Sequence, residues 1–165
     1  MSDAFGKITG FLLAAVLMYF IPVVFFANRQ QNIAQLYIIA ESIELVETVK
    51  NTGRLTRDMY ETFENDVMSL GGRYTIKLVR IHYEYGIDEN GNYSRYEVCD
   101  YTPQLMEEMA ESESILFAES DFVYVGVGRI EKSILDKMAG LFLNDAFCCD
   151  ETVSYYGGCV KNESY

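Results

Sequence analysis

From Ile8 to Ala27 the chain reads ITGFLLAAVLMYFIPVVFFA, twenty residues without a charge, set between Lys7 and Arg29. Twenty helical residues rise roughly 30 Å, the thickness of a bilayer's hydrocarbon core. The pattern therefore predicts a transmembrane helix over residues 8–27, in contact with membrane lipid. A cleaved secretory signal is the rival reading, but a cut after Ala27 would put bulky Phe25 at the −3 position, where small residues are needed. Polar Gln30, Gln31, Asn32 and Gln35 mark the end of the membrane. Beyond them Leu36, Ile39, Ile43 and Val46 recur at helical spacing opposite Glu41, Glu44 and Thr48, so the helix continues in amphipathic form. Pro22 is tolerated as a membrane kink, and Asn51-Thr52-Gly53 supplies the stop. The stripe of Leu36, Ile39, Ile43 and Val46 needs a cover, and packing against a partner helix is the expectation, with the half near Leu36 facing partners and the half near Val46 covered by the chain's own sheet.

Later segments change period. Thr56 is a good N-cap for a helix over Arg57–Leu70, with Asp58 in the first turn and Met59, Tyr60, Phe63 and Val67 on its apolar side. Gly71-Gly72 ends it. Tyr74–Tyr85 alternates as a strand, with Tyr74, Ile76, Leu78 and Arg80 on one face, and Tyr93–Cys99 is its return. Asn90-Gly91 between them predicts a type I′ hairpin turn. Pro103 opens a short helix over Gln104–Glu111, and Asp121–Ile130 reads as a central strand. Ser133–Phe142 is a further helix or a loop, and the tail from Asn144 looks irregular. The fold class is α+β: a long N-terminal helix packed on a small antiparallel sheet. Residues 1–7 form a leader on the cytoplasmic side, 8–27 the membrane helix and 28–165 an extracytoplasmic domain.

Charge narrows the partners. The 165 residues carry 13 Lys+Arg against 25 Asp+Glu, a net charge of −12, which excludes nucleic acid as a polyanionic partner. Without Lys7 and Asp3, residues 28–165 still hold 12 basic and 24 acidic residues and all four cysteines, which suits a domain exported to an oxidising space. Catalytic chemistry is not visible: His82 is the one histidine, no Gly-flanked serine forms a nucleophile elbow, and Asp88-x-Asn90-x-Asn92 lacks the glycine and glutamate of a calcium loop. No enzyme activity, cofactor or metal is expected. Cys99, Cys148, Cys149 and Cys159 are disulfide candidates. Because a vicinal bridge strains its peptide, two pairings remain: 99 to 148 with 149 to 159, or 99 to 149 with 148 to 159.

A polar leader, Gly10-Phe11, a long apolar helix turning amphipathic, and a small sheet with a cysteine-bearing C-terminal region resemble type IV pilins and pseudopilins. The stretch 41–79, with Tyr101-Thr102-Pro103, Asp121-Phe122-Val123-Tyr124-Val125 and the segment 156–163, is similar to TadE-like anchored proteins of Gram-positive bacteria. The resemblance implies a membrane-anchored structural or assembly component of a cell-surface pilus or secretion system. It implies pilin-like subunits or assembly proteins as partners, a processing site at Gly10 and Phe11, and a single-pass protein of the bacterial cell membrane with its C-terminal domain outside. Pilins carry Glu at the fifth mature position, which counted from Phe11 is Ala15. That departure fits a minor or permanently anchored subunit better than a major one. The alternative is a stand-alone extracytoplasmic binding or sensory domain on one anchor.

Overall fold

A computed structural model describes residues 2–87, 93–130 and 152–161. It is α+β, in the order α1 (Ser2–Thr52), β1 (Arg54–Thr56), α2 (Arg57–Ser69), β2 (Tyr74–Ile87), β3 (Tyr93–Tyr101), α3 (Thr102–Ser112), β4 (Ser114–Leu116), β5 (Phe122–Arg129) and β6 (Thr152–Cys159). Contacts divide it into one unit holding residues 1–34 and another holding the described residues from Gln35 onward.

In the first unit α1 has the length and apolarity to cross a membrane: its most apolar 18-residue window has mean hydropathy 2.4 and none of it is buried by the protein. Phe11, Met18 and Tyr19 are each at least 78% exposed. So wide an apolar surface calls for a nonaqueous neighbour.

The second unit is built on a four-stranded antiparallel sheet of order β3-β2-β5-β6. Register sets its faces. Leu78 lies opposite Val125 and Ile76 opposite Val127, so Tyr74, Leu78, Val123, Val125 and Val127 point one way and are buried. Over that face, Ile38, Leu45, Val46 and Val49 of α1 are buried, with Tyr60, Phe63 and Val67 of α2 and Leu105 and Met109 of α3. The β1–β4 ribbon adds Leu55 and Ile115, directly paired.

Local chemistry fixes the ends. Gly53 takes φ 66°, which a side chain would oppose, and its N–H donates to Val49 O at 2.9 Å, closing α1. Thr56 Oγ1 accepts from Met59 N to cap α2. Gln104 Oε1 accepts from Tyr101 N at the start of α3. Thr102 Oγ1 accepts from Leu78 N and donates to Leu78 O, which fastens α3 to β2 where β3 ends.

Three expectations need amendment. Thr152–Cys159, read as part of an irregular tail, is edge strand β6, and its run of Gly157-Gly158 is what hid it. Arg54–Thr56 and Ser114–Leu116 form a ribbon too short for periodicity to reveal. Ile87 lies opposite Tyr93, whereas a two-residue turn on Asn90-Gly91 needs a register one residue different. The turn residues themselves, and Ser133–Phe142, lie outside the described residues.

Candidate interaction surfaces

The stripe on α1 divides between two fates. Val46 is fully buried in the chain's own core beside Leu45 and Val49, in the half of the stripe expected under the sheet, so of the four stripe residues it is not available to a partner helix. Its neighbours one and two turns along, Ser42 and Ile38, are also buried, and Ser42 Oγ satisfies itself by donating to Ile38 O at 2.7 Å. Leu36 and Ile43 stand on another side, 67% and 37% exposed, with Tyr37 40% exposed and Ile39 half-buried. The covering of Val46 follows from the 3.6-residue period: 38, 42, 45, 46 and 49 share the face that meets the sheet, while 36 and 43 are turned from it. Gly10 and Phe11 lie within α1, Phe11 80% exposed, and a Cβ added at Gly10 would meet nothing.

A second uncovered surface was not singled out in the sequence: the outer face of the sheet. Tyr83, Tyr85, Tyr93, Tyr101, Phe122, Tyr124 and Tyr155 lie on it by register, opposite the buried valines. Tyr124 is paired with Gly157, and a Cβ at Gly157 would fall 2.1 Å from Tyr124 Cδ1, so the ring occupies the space above that glycine. Tyr155 likewise covers Gly126, where a Cβ would come within 3.2 Å. Phe122, Tyr124 and Tyr155 are consequently near-parallel, at centroid distances of 6.4 and 5.8 Å and interplanar angles of 12° and 18°. Arg95 lies 3.4 Å over the Tyr83 ring. The alternation that puts these aromatics together is legible in β2 and β3, but only the pairing with β5 and β6 assembles the face.

Among the described residues Cys99 and Cys159 are free thiols; the other two disulfide candidates, Cys148 and Cys149, lie outside the described residues. Cys99 pairs with Ile81, Ile81 with Phe122 and Phe122 with Cys159, one row across the outer face. Three strand gaps separate the two thiols by about 14 Å, twice what a disulfide spans.

Polar groups serve the architecture. The Arg80 guanidinium sits between Asp100 (2.7 Å) and Glu108 (2.9 Å), joining β2, β3 and α3. Burial pulls its pKa down, but hydrogen bonds to Asp100 and Glu108 outweigh that and raise it. His82 Nδ1 lies 3.3 Å from Asp100 Oδ2, without the geometry of a hydrogen bond. Glu47 Oε1 accepts from Lys50 Nζ at 2.6 Å and from the Tyr156 hydroxyl at 2.9 Å, tying α1 to β6. Those two donors, Lys50 first, hold the Glu47 carboxyl below its usual range, while the bond to Glu47 raises the Tyr156 phenol. Between α1 and α2, Glu41, Glu44, Asp58 and Asp66 rim a cavity of about 350 Å³ floored by Leu45 and Phe63. Tyr37 next to it has a raised phenol pKa, chiefly from its bond to Glu41. Among the described residues no group of three or more His, Cys, Asp or Glu is placed to hold a metal. No protein-family model, characterised protein or solved structure matches the chain.

Proposed function

We propose that this protein is a membrane-anchored, pilin-like structural subunit of a cell-surface pilus or secretion assembly, non-catalytic, with its α+β domain outside the membrane. The observation that carries the reading is the divided helix stripe. One face of α1 is consumed by the chain's own core at Ile38, Leu45, Val46 and Val49, while Leu36 and Ile43 stay exposed on the same helix that supplies the apolar segment. Exposed aliphatic side chains gain about 25 cal/mol per Å² when a partner helix removes them from water. Among the described residues the acidic cavity, which suits a cationic ligand, is what favours a stand-alone binding domain.

The test uses the full chain in its native membrane. Leu36→Glu and Ile43→Glu should lower thermal melting in detergent by no more than about 4 °C, since the covered part of each side chain puts about 1 kcal/mol at stake. The same variants should lose crosslinking to partner subunits. Retained crosslinks in both variants would reject the assembly role of the stripe.

A further inference from the structure

The outer face of the sheet is a second unpartnered surface, and its composition is unlike that of a solvated one. Strands of 14, 9, 8 and 8 residues give a flat footprint on the order of 600 Å² at about 3.4 Å per residue and 4.8 Å per strand. Upright side chains add to that, so the accessible area approaches the roughly 800 Å² per partner of a standard interface. Tyr85, Tyr93 and Tyr155 are 75%, 83% and 68% exposed on it. Interface cores are rich in Tyr, Phe and Arg and poor in Lys, Glu and Asp. Among the described residues the register puts only Lys77, Arg95 and Glu97 there as ionised groups.

We propose that this face binds the same face of a second copy of the chain. Charge selects that occupant. The whole chain carries −12, so two copies repel over most of their surfaces, yet among the described residues this face carries only Lys77, Arg95 and Glu97, and pairing it with itself lets the Glu97 of one copy offset the cations of the other. A face that pairs with itself needs no basic partner to offset the acidic remainder, and a two-fold axis uses one patch twice. The surface is distinct from the helix stripe, so the proposal stands whether or not the stripe meets partner subunits. Tyr124 over Gly157 and Tyr155 over Gly126 pre-set the rings, which reduces the rotamer freedom lost on association.

The native thiols report the contact directly, because Cys99 and Cys159 lie on this face. In full-length protein carrying Cys148→Ser and Cys149→Ser, solubilised in detergent micelles, a short bismaleimide should give a product of twice the chain mass, linked through Cys99 or Cys159. Tyr85→Glu, at a position too exposed to be needed for folding, should weaken the pairing at least about tenfold, since it replaces an exposed aromatic ring of the face with a carboxylate that must be desolvated on pairing. Leu36→Glu should leave it unchanged. Absence of a double-mass product across the concentration range, equal yield in Tyr85→Glu, or loss of the product in Leu36→Glu would each overturn the proposal.

Discussion

Truncating Val46 and Leu36 to alanine should affect stability in the reverse order of the side chains' sizes. Val46 is 0% exposed and Leu36 67% exposed, on one helix ten residues apart. Val46→Ala removes two buried methyl groups, about 0.8 kcal/mol each in transfer, and leaves a void between α1 and the sheet that the rigid β2–β5 pair closes poorly. The total comes to about 2–3 kcal/mol. Leu36→Ala removes three carbons of which only a third of the surface is covered, so about 0.5–1 kcal/mol is at stake. Denaturant unfolding of the full chain in detergent, followed by the tyrosine signal of the domain, measures both. A cost for Leu36→Ala equal to or above that for Val46→Ala would refute the division of the helix into a core face and a free face.

Gly157→Ala should destabilise by about 1–3 kcal/mol, because the new Cβ meets Tyr124 and the Val123 carbonyl oxygen, 2.7 Å away; thermal melting checks it. Arg80→Met should cost about 1–2 kcal/mol by leaving Asp100 and Glu108 without their shared cation, and denaturant unfolding checks it. Since the Glu47 pKa is depressed on folding, its stabilisation is present above the ordinary carboxylate range and is lost as pH falls through the folded value; Glu47→Gln should flatten that limb of the pH–stability curve. Peptide mapping under non-reducing conditions should find no intrachain Cys99–Cys159 bond, as three strand gaps forbid it.

Elements with a long, clean period were readable from the residues alone. The apolar run and its amphipathic continuation announced α1, Thr56 announced α2, and the valines of Phe122–Arg129 announced a central strand. Boundaries moved by a few residues because termini are set by single bonds such as Gln104 to Tyr101. β6 was hidden because Gly157 and Gly158 depress strand propensity, and their reason for being there, the ring of Tyr124 and the stem of Lys50 lying against them, exists only in the folded sheet. The stripe at Leu36, Ile39, Ile43 and Val46 was legible as apolar, with its half near Val46 expected under the sheet, but periodicity alone does not fix where that cover ends. That depends on where the sheet meets the helix. The aromatic face was present as alternation in β2 and β3 and needed the β2–β5 and β5–β6 registers to become one surface.

Mass and N-terminal sequencing of the protein recovered from membranes test the anchored-subunit account most directly. After alkaline carbonate washing, the account predicts that the chain stays in the membrane pellet and begins at Met1 or at Phe11, with residues 11–27 retained. A soluble product beginning at Asn28 would contradict it, because the helix would have been a cleaved signal and the exposed stripe at Leu36 and Ile43 would have no membrane to align it with a partner.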